Sequence, residues 1–212
     1  MNAAYSILIA DDHAIVRIGL RILINNIDAD IHIEEAVNGE AVIGKLKSRS
    51  FDLLILDVNM PQTESFSLAD YLRKQFPSLK ILIFTMNQEV SFAMRFIKLG
   101  VHGYLFKQTV EAEIQSAIRR IREGHIYISD FFSELISSEV LSRREVNPFE
   151  GLSDREFEVT LQILKGYSMS EIARTLHLNR STVGTHKSRV MKKLRLTNTI
   201  ELINLARKHK II

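Results

Sequence analysis

Over residues 1–125 the apolar positions switch repeatedly between two patterns. Short, mostly apolar runs stand at residues 5–10 (YSILIA), 31–37 (IHIEEAV), 51–56 (FDLLIL), 80–84 (KILIF) and 103–106 (GYLF). Rich in Ile, Leu, Val and aromatics, they predict strands. Helix-length stretches separate them. The clearest is the last, where Ile114, Ala117, Ile118 and Ile121 fall at i, i+3, i+4 and i+7. Gly39, Gly100 and Gly124 sit where elements should end, positions at which a left-handed residue is cheap only for glycine. Five strands alternating with five helices predict an α/β fold, a doubly wound parallel sheet covered on both faces.

The pattern changes near residue 130. Residues 129–141 predict an amphipathic helix. Residues 142–150 (SRREVNPFE) are polar, contain Pro148 and read as a linker. From Gly151 onward no strand signal remains. Ser153 with Glu156, and Ser168 with Glu171, form two capping boxes. Phe157, Thr160, Leu161 and Leu164 make a helical stripe ended at Gly166, and the second box opens a short helix through Leu176. Asn179 is the expected N-cap of a third helix through about Leu196, and Asn198 with Glu201 caps a fourth. The tight turn over residues 177–180 makes the second and third a helix-turn-helix. The expected layout is residues 1–128, a partly helical linker over 129–150, and a small all-α domain over 151–212.

Charge divides along the same line. The 212 residues carry a formal charge of +3. Residues 1–147 hold 16 Lys and Arg against 19 Asp and Glu, whereas residues 148–212 hold 12 against 6. An acidic front joined to a basic tail points to nucleic acid at the basic end. With 0 cysteines, disulfides, thiolate metal sites and cysteine nucleophiles are excluded. The longest early apolar run, residues 7–10, is ended by Asp11 and Asp12. A spanning helix needs roughly 20 apolar residues, so no membrane association and a cytoplasmic location are expected.

Asp11 and Asp12 follow the first predicted strand, Asp57 follows the third, Thr85 ends the fourth and Lys107 follows the fifth. Parallel strands would bring all of them to one edge of the sheet, the edge where open α/β sheets gather their chemistry. One such Asp alone would serve as a cap or turn residue. Convergence from four strand ends carries the functional reading. Carboxylates crowded at one edge call for a cation, and oxygen ligands without cysteine favour a hard ion such as Mg2+. Lys107 and the Thr85 hydroxyl would suit the remaining oxygens of a phosphoryl group.

IADDH (9–13), LDVNMP (56–61), FT (84–85) and GYLFK (103–107) resemble the receiver domain of two-component response regulators, over roughly residues 4–125. The resemblance implies a five-stranded, flavodoxin-like sheet. It implies that Asp57 accepts a phosphoryl group from a histidine-kinase phosphohistidine. It further implies that Asp11 or Asp12, with Asp57 and the Asn59 backbone carbonyl, bind Mg2+, and that Thr85 and Tyr104 form a switch pair. Three positions depart from the family pattern. Gln108 replaces a common Pro and keeps its peptide bond trans. Met86 replaces a small residue, with bulk enough to cover part of the phosphoryl site. Ser65 stands where Gly is common.

On a wheel of about 100° per residue, Val183, Val190 and Leu194 share the core direction of the third tail helix. Ser181, Thr185, Ser188 and Lys192 lie opposite, flanked by Arg189 and Arg195. A small, polar and basic face suits the major groove. Leu152–Ser153, Arg155–Glu156, Gly166, Ser168, Glu171–Ala173, Thr182–Val183, His186 and Lys193–Leu194 resemble the LuxR-type helix-turn-helix. Together the two resemblances give the NarL/FixJ class. They imply groove reading by Gly184, Thr185 and Ser188, and phosphate contacts by Arg180, Lys187, Arg189 and Lys192. The wheel puts Lys187 nearest the core of these. Gly184 stands where relatives often carry Lys. His186 is expected to pack or bond the backbone rather than bind metal.

The expected protein is therefore a phosphorylation-switched transcriptional regulator and not an enzyme, partnered by a sensor histidine kinase and double-stranded DNA. Two-fold dimers on paired half-sites are expected when active. The last helix either supplies a dimer contact or closes the small core. Two alternatives stand: a DNA-binding regulator that needs no phosphorylation, and an aspartate-nucleophile phosphohydrolase. The second would usually carry an acid/base Asp two residues after the nucleophile, where this chain has Asn59.

Overall fold

The structure is a computed structural model that describes residues 5–86, 90–129, 132–134, 147–176, 178–209 and 211–212. Most of the expected 129–141 helix and of the 142–150 linker lies outside these residues, as does His177 of the predicted turn. The chain divides into two compact units, Met1–Ser137 and Ser138–Ile212.

In the first unit β1 (Ser6–Ala10), α1 (Ala14–Ile27), β2 (His32–Ala36), α2 (Gly39–Ser48) and β3 (Leu53–Leu56) alternate, followed by α3 (Ser65–Gln75) and β4 (Lys80–Thr85). The helix α4 (Val90–Lys98), β5 (Gly103–Phe106), α5 (Glu111–Arg122) and β6 (Tyr127–Ile128) complete it. The sheet order is β2-β1-β3-β4-β5-β6 and every pairing is parallel. The apolar runs therefore form strands at the predicted places. Their continuity has a physical cause: helices cover both faces, so side chains of either parity are buried. Ile7, Ile9, Leu53, Ile55, Leu82 and Leu105 pack with Leu20 and Ile24 of α1 and with Ile114, Ala117, Ile118 and Ile121 of α5. On the other face Phe66 of α3 stacks on Phe96 of α4, with ring centroids 4.3 Å apart.

The sheet has a sixth strand where five were expected. At two residues, β6 is too short to carry a periodic signal. Gly103 makes room for it. A Cβ there would stand 2.8 Å from Leu82 Cδ1 and 3.2 Å from the Tyr127 carbonyl oxygen, so a side chain would drive β6 away. Gly100 and Gly124 have positive φ, as element ends require, but Gly39 does not and instead opens α2. There the Thr63 hydroxyl accepts from Gly39 N at 2.8 Å.

The second unit begins with a 3-10 turn at Pro148–Gly151, then α6 (Asp154–Leu164), α7 (Met169–Thr175), α8 (Arg180–Leu194) and α9 (Thr199–Lys208). Both predicted capping boxes are formed, with each Ser accepting from the N3 amide and each Glu accepting in return. Asn179 occupies the N-cap of α8, but its side chain makes no cap bond. The buried face of α6 is wider than the predicted stripe. Val159 and Ile163 are buried beside Phe157 and Thr160, while Leu161 and Leu164 are only half-buried, because α6 packs against both α7 and α8. Leu202 and Ala206 of α9 are fully buried, so this helix closes the small core. Phe149, from the expected linker, is 1% exposed and belongs to that core.

His102, just before β5, accepts from Ile81 N through Nδ1 at 3.2 Å. Burial, with Lys80 and Arg73 nearby, lowers its pKa from 6.5 to about 4. The folded state therefore resists a proton that the unfolded chain takes up. This residue's contribution should be lost as pH falls from 6.5 toward 4. The expected outcome is that His102→Asn, which keeps an acceptor, loses less thermal stability than wild type over that window. Melting curves at matched ionic strength check it.

Candidate functional site

Strand order reverses between β1 and β3, since the chain leaves β1 toward β2 and returns on the other side at β3. A crevice opens at the carboxyl end of such a reversal. Asp11 and Asp57 lie there, each on the residue after its strand and each 1% exposed. The backbone holds them: Asp57 N donates to the Ala10 carbonyl at 2.8 Å, and Asp11 N to the Ala36 carbonyl at 3.1 Å. Thr85, 0% exposed, ends β4, and Lys107 N donates to its carbonyl at 2.8 Å. All the predicted acidic-site residues thus meet at one edge.

Lys107 Nζ stands 2.7 Å from Asp11 Oδ2 and 2.8 Å from Asp57 Oδ2, bridging the two buried carboxylates. Burial pushes the Asp57 carboxyl up from its ordinary value, Lys107 pulls it back and the Asp11 charge adds to the rise. Burial opposes the charge on Lys107, but Asp11 and Asp57 together outweigh it and raise its pKa. Asn59 N donates to Asp57 Oδ1 at 3.2 Å, and Asn59 Nδ2 to Thr85 Oγ1 at 3.4 Å, tying β3 and β4 across the crevice.

The donor set suits a divalent cation. Ligand atoms of Asp11, Asp12, His13 and Asp57 all lie within 4.8 Å of one another. Three are carboxylate oxygens, the chemistry Mg2+ takes. Sequence reasoning gave His13 no role, although it directly follows the aspartate pair. Arg17 was also missed. Its Nη1 donates to the Asp11 carbonyl at 2.9 Å and its Nε to Glu35 Oε2 at 2.8 Å, bracing the loop against α1 and β2.

Tyr104 is 1% exposed, its ring turned into the aromatic cluster of the α3–α4 face. The ring stacks on Phe132, with centroids 5.5 Å apart. Phe132, within the predicted 129–141 helix, is fully buried. Ser65 is buried and its hydroxyl donates to the Val58 carbonyl, a bond that glycine could not make. Met86 is 53% exposed, and no cis peptide occurs at Gln108 or elsewhere among the described residues.

In the second unit α8 presents the predicted face. Arg180, Ser181, Thr185, Ser188, Arg189 and Lys192 are exposed, Gly184 and Lys187 are half-buried, and Val183, Val190 and Leu194 are buried. The Thr185 hydroxyl donates to the Ser181 carbonyl at 3.1 Å. Lys193, itself exposed, reaches to 2.6 Å from Glu156 Oε2 of the first capping box and so fastens α8 to α6. Arg155 ties α6 to the end of α7 through the Leu176 carbonyl at 2.8 Å. His186 is half-buried. Its pKa is lowered by burial, then by Arg155 and Arg189, and it has no backbone bond at Nδ1 among the described residues.

Buried carboxylates at the switch point of a doubly wound sheet, bridged by a lysine, define a receiver-type unit. A capped helix pair presenting a polar third-helix face defines a helix-turn-helix unit. The comparisons agree: residues 7–119 match the response regulator receiver domain, and residues 150–206 match the bacterial regulatory proteins of the luxR family. The chain belongs to the response regulators of the NarL/FixJ class, a receiver joined to a LuxR-type DNA-binding domain. It is 34% identical to the oxygen regulatory protein NreC of Staphylococcus carnosus, covering 97% of this chain and 98% of that protein. It is 30% identical to the response regulator UvrY of Escherichia coli K12, covering 96% and 94%. RcsB of Salmonella enterica serovar Typhimurium, bound to promoter P1flhDC in the presence of the phosphomimetic BeF3−, superposes with a TM-score of 0.73. That match has 26% identity and covers 96% of this chain and 98% of that one. Among the described residues no helix is long and apolar enough to cross a membrane.

Removing the bridging cation should leave the buried carboxylates uncompensated. Breaking such a pair typically costs about 3 kcal/mol or more. The expected outcome for Lys107→Met is a loss near that size in urea unfolding without divalent ions, with part recovered on adding Mg2+.

Proposed function

We propose that Asp57 is the phosphoacceptor of a switch that controls DNA binding. The observation that carries the reading is the Asp57 carboxylate at the strand-order reversal, 2.8 Å from Lys107 and grouped with Asp11 and Asp12. Its oxygen attacks the phosphorus of a kinase phosphohistidine. The phosphorus–nitrogen bond breaks, its electron pair returns to the imidazole, and an acyl phosphate forms on Asp57. Mg2+ would be held by Asp11, Asp12, Asp57 and the Asn59 carbonyl, and would supply charge neutralisation to the phosphoryl oxygens. Lys107 pairs with one of those oxygens, in the position it now gives the carboxylates. Thr85 donates its hydroxyl to another. A phosphoryl group adds about −1.5 to −2 charge and three strong acceptors, enough to reorganise the groups that meet it. Tyr104, on the strand paired with β4, is the aromatic partner of Thr85 in this reading.

The receiver occupies residues 1–128, the connecting segment 129–150 and the DNA-binding domain 151–212. On α8, Gly184, Thr185 and Ser188 are the groove-reading positions, with Ser181 on the same face and Gly184 lacking a side chain to reach a base, while Arg180, Lys187, Arg189 and Lys192 meet phosphates. Support comes from the exposure of this face, the excess of Lys and Arg in residues 148–212, and the promoter-bound RcsB neighbours. The active form is a homodimer on paired half-sites, because one helix in one groove buries too little for high specificity. The protein acts in the cytoplasm, where a sensor histidine kinase and DNA are both within reach.

With Mg2+ and acetyl phosphate, wild type should gain the mass of one phosphoryl group and shift toward dimer, while Asp57→Ala does neither. Intact-mass spectrometry and light scattering check this; a wild type that gains no mass contradicts it. Lys192→Ala should weaken binding evenly across DNA sequences and reduce the salt slope by about 1, measured by anisotropy at several salt concentrations. A Cβ at Gly184 would meet only Met169 Cε, at 3.9 Å. Gly184→Lys should therefore fit, stabilise α8 by up to about 1 kcal/mol and tighten DNA binding.

A further inference from the structure

The Thr185 hydroxyl already has a partner. It donates to the Ser181 carbonyl at 3.1 Å, one turn back along α8. Thr185 is nevertheless exposed, on the face that also carries Ser181 and Ser188. With its one hydroxyl proton committed to the preceding turn, the threonine has its Cγ2 methyl left to offer a ligand. The neighbouring position has no side chain at all. Among the described residues, a Cβ at Gly184 would meet one atom beyond its own stretch of helix, Met169 Cε of α7, at 3.9 Å. The space that a side chain would fill at 184 is therefore open, and the group bordering it is also a methyl. Without a Cβ there, the backbone of α8 can approach a ligand closely.

In the major groove, thymine alone among the bases presents a methyl group, at C5, and a threonine methyl is one of the apolar groups that meets it. We infer that Thr185 is a specificity-determining residue that reads a thymine through contact between the two methyl groups, with the open position at Gly184 letting α8 come close enough to bury that contact. A lysine side chain at 184 would favour the O6 and N7 acceptors of guanine instead. The bare position and the committed hydroxyl both move the centre of this face from polar to apolar reading. The rival is a polar contact. The Thr185 oxygen keeps lone pairs after donating its proton, and could accept from adenine N6 or cytosine N4. The two readings call for opposite responses to removing the methyl or the hydroxyl.

The inference rests on the placement of α8 in the groove proposed above, and its test separates the two. The full-length chain, with Mg2+ and beryllofluoride, first selects a duplex from a randomised pool. Each thymine of one recovered half-site is then replaced singly by deoxyuridine, which removes the C5 methyl and keeps the base pair. The expected result is one position at which deoxyuridine weakens wild-type binding about fourfold, the scale of one buried methyl-sized group. Thr185→Val keeps a methyl without the hydroxyl and should retain that difference. Thr185→Ser keeps the hydroxyl without the methyl and should bind both duplexes alike. A wild type that binds every deoxyuridine duplex as tightly as the parent overturns the inference. So does a difference that survives in Thr185→Ser, since another group would then touch the methyl, and so does one lost in Thr185→Val, which would assign the reading to the hydroxyl. Thr185→Glu combined with Ser188→Glu tests the underlying placement. If that variant binds the recovered duplex as tightly as wild type, this face does not enter the groove. If it loses binding while wild type ignores deoxyuridine, the methyl contact alone is overturned.

Discussion

Two carboxylates held out of water beside a single ammonium are the constraint on which this chain turns. Asp11 and Asp57 are each 1% exposed, and Lys107 is the cation between them. Buried charge is tolerated only when it is paired and hydrogen-bonded. The sheet provides for this through backbone bonds that place each Asp one residue past its strand. A second cation, or a phosphoryl group, would change the balance that Lys107 now holds. Charge added here would meet groups already tied to several elements: Asn59 and Thr85 link the ends of β3 and β4, and Arg17 links the segment after β1 to α1 and β2.

The second unit rests on a different kind of pairing. Its helices are short, and isolated helices of this length are marginal in water. Capping boxes at Ser153 and Ser168 satisfy the exposed amides of α6 and α7. Glu156 then serves twice, closing its box and pairing with Lys193 of α8. The same basic helix therefore commits Lys193 to orientation and leaves Arg180, Arg189 and Lys192 exposed.

Much of the fold and of the acidic site was legible in the sequence because both depend on local order. Strands buried on two faces read as unbroken apolar runs. Asp57 and Lys107 are found by their position immediately after such runs, and the capping boxes by their three-residue spacing. What escaped notice depends on contacts distant in sequence. The two residues of β6 pair with β5 only because Gly103 lets them approach. Phe132 matters because it stacks on Tyr104, and His13 because it turns back from α1 toward the aspartates. Asn179 shows the opposite failure: a favoured capping residue at the N-cap position, with no cap bond made.

The proposed control of the α8 face by charge chemistry at Asp57 is open to a direct measurement on DNA. The direct measurement uses a fluorescent duplex recovered by this protein from a randomised pool. Its affinity is compared for wild type and Asp57→Ala, each with Mg2+ alone and with Mg2+ plus beryllofluoride. Wild type should bind more tightly when beryllofluoride is added, and Asp57→Ala should not respond. Identical affinities in all four conditions would contradict it.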